Sequence, residues 1–207
     1  GGPRPAPRGR AAHRGRGFRP MKIAIIDSGI TPAPETGPVA GGISFVDETT
    51  RDALGHGTAV AAVIHALAPE AELYAVKIFH RTLITDAVTL ARALRWAREM
   101  DFVNLSLGTA IPVHRELLAR AVAGCRGTVV AAAGHLPGDL AGVVRVAAGA
   151  GAACRQPDGT WSASPAPPEL LGIPERWRPE GVSFAVARVT GLLAARRLNA
   201  GTRAQPW

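Results

Sequence analysis

From Lys22 onward the chain alternates two kinds of pattern. Five short runs, 22–27, 72–78, 102–106, 128–133 and 143–148, are almost continuously apolar and rich in β-branched residues. Runs of that length with no polar face fit strands covered on both sides. Between them the apolar residues recur three and four apart, as on helices. One helix is expected from His56 to about Ala68. A second starts near Thr85, expected as its N-cap, and puts Leu90, Ala93, Leu94 and Ala97 on one stripe, opposite Arg92, Arg95 and Glu99. A third begins after Pro112, a residue suited to the first helical position, and ends near Gly124. The fourth runs from about Ser183 to Leu198. Strand and helix in alternation predict an α/β fold, a parallel sheet with helices on both faces. Residues 155–180 hold six prolines and predict an irregular connection.

Composition narrows the class. The 207 residues match one ordinary domain, and a hydrophobic share of 47% provides a core and excludes disorder for the chain as a whole. No run approaches 18 apolar residues, so no membrane helix is coded and no membrane partner is expected. Cys125 and Cys154 are too few for a disulfide framework and are expected as free, buried thiols. The net charge of +8 suggests a polyanion partner until the charges are located. Residues 1–20 contain six arginines and no acid; removing those six from the 24 basic residues leaves 18 against 16 acidic, a net of +2. Residues 1–20 therefore read as a flexible basic extension ahead of Met21, and residues 21–207 as the folded domain. Nucleic acid is not expected as a partner of that domain. With no secretory signal or anchor pattern, the expected compartment is the cytoplasm.

In a sheet of this kind, function collects at the carboxyl ends of the strands. Three of those ends are small, polar or glycine-rich: Asp27-Ser28-Gly29, Ser106-Leu107-Gly108 and Ala133-Gly134-His135. Asp27 is expected half-buried at the end of its strand. Gly55-His56-Gly57-Thr58 opens a helix, and Gly181-Val182-Ser183 opens another. Taken singly, Asp27 reads as a turn residue, His56 as a helix cap and Ser183 as an N-cap. An acid, an imidazole and a hydroxyl, each at the end of its own element, also make up a serine nucleophile with its general base and orienting carboxylate. Asp, His, Ser is one of the known chain orders for that set. The histidines show no metal-ligand spacing, and neither a metal nor another cofactor is expected.

At these residues the chain resembles the subtilisin-like serine proteases, the subtilase family. The resemblance is carried by Ile25-Ile26-Asp27-Ser28-Gly29-Ile30, Gly55-His56-Gly57-Thr58-Ala59-Val60-Ala61, Ala68-Pro69, and Leu73-Tyr74-Ala75-Val76-Lys77. It continues through Val103-Asn104-Leu105-Ser106-Leu107-Gly108, Val129-Val130-Ala131-Ala132-Ala133-Gly134, and Gly181-Val182-Ser183-Phe184-Ala185 up to Gly191. It implies a three-layer α/β fold around a central, mostly parallel sheet, and a serine endopeptidase acting through an acyl-enzyme. Asp27 would orient His56, His56 would be the general base and Ser183 the nucleophile. Ser106, Leu107 and Gly108 would pair with substrate backbone, Ala133 and Gly134 would wall the pocket, and the partner would be a peptide or protein substrate.

Four departures stand out. His135 occupies the position of the family's oxyanion asparagine. Val182 and Ala187 replace the threonine before the serine and the proline four residues after it. The stretch between His135 and Ser183 is short, so pocket loops and calcium sites of relatives are trimmed. No pro-domain is expected ahead of the catalytic block, an expectation in keeping with an intracellular enzyme or one that relies on a partner. A dedicated processing peptidase, removing the leader of a ribosomally made peptide, is one expected role, with transpeptidation as a close variant. The rival is a pseudoenzyme that binds an extended peptide or a partner subunit. Asp139 reads either as a selector of basic substrate residues or as a turn acid.

Overall fold

In the computed structural model, which describes residues 19–168 and 181–203, the first apolar run becomes the central strand of an eight-stranded sheet. The strands are β1 (Lys22–Asp27), β2 (Val39–Ser44), β3 (Glu72–Lys77), β4 (Phe102–Leu105), β5 (Thr128–Ala132), β6 (Val144–Ala148), β7 (Cys154–Arg155) and β8 (Trp161–Ala163). They lie in the order β2-β3-β1-β4-β5-β6-β8-β7, and every neighbouring pair is parallel except β7 with β8. The chain leaves β1 for β3 on one side and later places β4 on the other. The carboxyl ends of β1 and β4 therefore flank the point where the strand order reverses.

Helices α1 (His56–Leu67) and α4 (Val182–Arg203) cover one face, and α2 (Ala87–Trp96) and α3 (Arg115–Ala123) the other. The two-residue period of β1 shows the division: Ile23 and Ile25 belong to the α1/α4 core, Ala24 and Ile26 to the α2/α3 core. Within their layer α1 and α4 approach closely at Gly191, where a Cβ would lie 2.9 Å from Leu67 Cβ and 3.2 Å from the Ile64 carbonyl oxygen.

The structure corrects several local expectations and adds a strand that the apolar pattern did not predict. The cap of α2 is Asp86, not Thr85; its carboxylate accepts from Thr89 N at 2.8 Å, closing the first turn. The 155–180 connection contains β8, whose Trp161 and Ala163 are buried in the α1/α4 core. Strand β2 falls where Gly41-Gly42 interrupts the apolar pattern; Gly42 is required because a Cβ there would run into the Ala75 carbonyl of β3. Pro112 opens a short 3-10 turn, Pro112–His114, that leads into α3. The extension assigned to residues 1–20 lies outside the described residues up to residue 18. Arg19 meets the Asp101 carboxylate at 3.3 Å, and Met21 is already buried. Cys125 is half-buried, but Cys154 is exposed on β7 rather than buried; both are free. Among the described residues no helix is long and apolar enough to cross a membrane.

Lys77, at the carboxyl end of β3, is 1% exposed and reaches Asp47 Oδ2 at 2.6 Å and the Arg51 carbonyl at 2.9 Å. This ties down the segment running from β2 toward α1. Burial works against the Asp47 charge, but the bonds from Lys77, Ser44 and His80 and the Thr49 amide outweigh it and hold the carboxyl well below the ordinary carboxylate range. A depressed carboxyl stabilises the fold above its ordinary value of 3.8, and that contribution is lost as the pH falls below it. We expect Lys77→Ala to lower the unfolding free energy by about 1–3 kcal/mol in a denaturant titration, because it removes the buried charge that bonds Asp47 and the Arg51 carbonyl. An unchanged midpoint would show that the pair holds nothing.

Candidate active site

Asp27 ends β1 and is fully buried, not half-buried, because β1 lies between β3 and β4 under α1. Its Oδ1 accepts from Ser28 N (2.7 Å), Ser28 Oγ (3.2 Å) and His56 Nδ1 (2.8 Å). Among the described residues its Oδ2 is buried without a hydrogen-bond partner. The approach of α1 to this strand end needs two glycines. A Cβ on Gly57 would run into the Gly29 carbonyl, and Gly29 itself has φ 101° against the Thr50 carbonyl. Ser28 Oγ also accepts from Gly57 N at 2.9 Å, so strand end and helix start are joined twice.

His56 is the first residue of α1, and the side chain that fixes the helix start is Asp52. Its Oδ1 accepts from Leu54 N and Gly55 N, both at 2.9 Å, and its Oδ2 from Thr58 N (2.8 Å) and Thr58 Oγ1 (2.7 Å). Two unpaired donors of the first turn are thereby satisfied from the preceding loop. Burial works against a charged His56 ring. The charge of Asp27 and its hydrogen bond, helped by the charge of Asp52, overcome this and raise the imidazole above its ordinary value of 6.5.

Ser183 is the second residue of α4, on the helix that shares a layer with α1. Phe184 places its ring 6.1 Å from the His56 ring. Ser183 Oγ donates to the Ser106 carbonyl at 3.2 Å, and Ser106 Oγ donates to the Ser183 carbonyl at 3.3 Å. Among the described hydrogen bonds none joins Ser183 to His56. Catalytic bonds of this kind are often long before substrate binds.

Ser106, Leu107 and Gly108 continue from β4. Leu107 packs on the α2/α3 core, and Thr109 pairs antiparallel with Leu136 through bonds of 2.8 and 2.9 Å. That pairing brings Gly108 against His135: a Cβ on Gly108 would lie 2.7 Å from His135 Cβ. His135 is exposed, and Ala133 is half-buried beside it. Asp139 Oδ1 accepts from Gly134 N at 2.9 Å, across a turn in which Gly134 has φ 82°. Asp139 thus closes the turn that presents His135. The structure brings together the ends of β1, β4 and β5 and the starts of α1 and α4.

The other histidines among the described residues lie elsewhere. His80 bonds Asp47, His114 bonds Thr109, and His65 stands against Gly37. Burial pushes the Cys125 thiol up to about 11, so it is no nucleophile at neutral pH. A pocket of about 770 Å³ opens between α1 and α4, and Asp27, His56 and Ser183 do not line it.

The model of the subtilase family matches residues 19–163, which include Asp27, His56, Ser106 and His135 and stop before Ser183. The chain belongs to the subtilase family. This subtilase is 39% identical to Subtilisin Savinase of Lederbergia lenta over 137 residues, covering 59% of the chain and 51% of that protein. It spans between 16% and 51% of the length of the first curated relatives it matches. Among solved structures, the Prenylagaramide maturation protease PagA superposes with TM-score 0.66 at 22% identity, over 90% of this chain and 78% of PagA. A lanthipeptide protease superposes with TM-score 0.67 at 18% identity, over 90% of this chain and 76% of that one.

Sequence reasoning missed Asp52, Asn104 and Thr190. Asp52 carries the signal of a helix-opening acid, six residues ahead of the Thr58 amide it caps. Asn104 and Thr190 are polar residues at positions where strand and helix patterns call for apolar ones, and both are fully buried in this subtilase. In an NMR titration the His56 ring should change state above pH 6.5. Asp27→Asn should bring that midpoint down, since burial is then opposed only by the weaker effect of the Asp52 charge. An unmoved midpoint would mean that Asp27 does not govern the ring.

Proposed function

We propose that the chain is a serine peptidase that cleaves a peptide bond through an acyl-enzyme. The observation that supports this most is the 2.8 Å bond from His56 Nδ1 to a buried Asp27, at the reversal point of the sheet and beside the start of the Ser183 helix. Asp27 fixes the ring so that Nε2 is free to take the Ser183 proton. Ser183 Oγ attacks the scissile carbonyl, and the imidazolium returns the proton to the leaving amine. Water, activated by the same His56, then releases the acyl group. The backbone of Ser106, Leu107 and Gly108 holds the substrate as an added strand, and Ala133 and Gly134 border the residue before the scissile bond. When substrate takes the Ser106 carbonyl, Ser183 Oγ loses its present acceptor and is free to turn to His56.

His135 is the donor we assign to the oxyanion. Its exposed ring stands beside Gly108, and imidazole offers an N–H from either nitrogen. The substrate class we assign is a precursor peptide that is trimmed to a mature product. The superposition on the maturation protease PagA and on a lanthipeptide protease supports this. A second reading, a pseudoenzyme that binds an extended peptide or a partner subunit, is favoured by one observation: Ser183 Oγ bonds the Ser106 carbonyl and not His56.

Labelling with a fluorophosphonate separates the two readings, since only a reactive Ser183 is modified. We expect labelling of the parent protein, and its loss together with peptide cleavage in Ser183→Ala, with the circular dichroism unchanged. An unlabelled parent would favour the pseudoenzyme. His135→Ala should lower kcat by about 10²–10³ with little change in KM, and His135→Asn should retain activity. Because His56 must be neutral to accept the proton, kcat/KM should rise with pH through a midpoint above 6.5.

A further inference from the structure

Three side chains and one backbone carbonyl form a hydrogen-bonded relay that leaves α4, crosses to β4 and returns to α4. Thr190 Oγ1 donates to Asn104 Oδ1 at 2.9 Å, sharing its proton with the Val186 carbonyl at 2.9 Å. Asn104 Nδ2 donates to Ser106 Oγ at 3.0 Å, and Ser106 Oγ passes its own proton to the Ser183 carbonyl at 3.3 Å. Thr190 and Asn104 are both 0% exposed, between the sheet and α4. Buried polar groups are costly unless paired, and a network in which each member is paired holds one arrangement against alternatives.

We propose that Thr190 is a positioning residue for Ser183, acting through Asn104 and Ser106. Thr190 and Ser183 lie seven positions apart on α4, close to two full turns, and so on the same side of the helix. Anchoring both to one strand end removes the freedom of α4 to roll about its axis or slide along β4. Either motion would swing the Ser183 hydroxyl relative to His56, which is held by different elements, β1 and the Asp52 loop. The relay also sets the direction of the Ser106 hydroxyl. With Asn104 Nδ2 donating to it, Ser106 Oγ points its hydrogen at the nucleophile's carbonyl and not into the cleft. The relay thus fixes the reacting pair's separation from the side opposite the substrate. This role rests on the peptidase reading given above.

The test compares Thr190→Val, Thr190→Ser and the double variant Asn104→Leu/Thr190→Val by kcat, KM, fluorophosphonate labelling rate and thermal midpoint. Thr190→Val keeps the side-chain shape and removes the donor. It should lower kcat and the labelling rate by about 10- to 100-fold with KM nearly unchanged, as a small misplacement of reacting groups does. Thr190→Ser should restore the parent rate. Thr190→Val leaves Asn104 Oδ1 unpaired and lowers the thermal midpoint. The double variant removes both polar groups, so its midpoint should recover while kcat stays low. A kcat equal to the parent's in Thr190→Val, or one that recovers with the midpoint in the double variant, would overturn the proposal. If the parent protein is neither labelled nor active, the peptidase reading fails, and the relay is judged by exchange of the Asn104 side-chain amide protons. These should exchange at least about tenfold more slowly in the parent than in Thr190→Val if the buried bonds are formed. Equal rates would overturn the relay as well.

Discussion

A carboxylate with no access to water, set at the end of the central strand, is the constraint from which the rest of the site follows. Asp27 draws three donors onto one oxygen, from Ser28 twice and from His56. To bring them there, α1 must start in van der Waals contact with the turn after β1, which admits only hydrogen at Gly29 and Gly57. Among the described residues the other oxygen has no donor, so the charge of Asp27 is answered by Ser28 and by the imidazole it faces. The same constraint therefore places the ring, chooses its tautomer and raises its affinity for a proton.

The hydroxyl side of the site is positioned by different means. The backbone of α4 meets the end of β4 through paired bonds between residues 106 and 183, and no charge is involved. Polar side chains buried under α4 complete those bonds, while Asp52 performs the equivalent task for α1 from the outside. His56 and Ser183 are thus located independently and brought into one frame by the packing of α1 on α4.

Much of this was legible in the chain itself. The five apolar runs became β1, β3, β4, β5 and β6 with ends shifted by one residue at most, because strands buried on both faces leave an unbroken apolar signature. Strand β2 was not legible, since its glycines serve contact with β3 and weaken any pattern. Strand β8 hid in a proline-rich stretch, where Trp161 and Ala163 are buried by α4 and the sheet and not by local sequence. Asp27, His56 and Ser183 could be singled out because each ends or opens an element. The bond between Asn104 and Thr190 joins positions 86 residues apart. It could be seen locally only as a polar residue in an apolar place, and its partner appears once the helix is laid on the sheet.

The near contact at Gly191 carries a geometric consequence. His56 and Ser183 sit at the starts of two helices that touch one another further along, at Ile64 and Leu67 on α1 and Gly191 on α4. From that contact it is about 12–17 Å back along α1 to His56 and about 12 Å back along α4 to Ser183, at 1.5 Å per residue. The helices pack on one another over much of their length, and this close approach depends on a missing side chain. A wedge as small as a methyl group there would press the two helices apart, so the spacing of His56 and Ser183 is set partly by an atom that is absent at least two turns away.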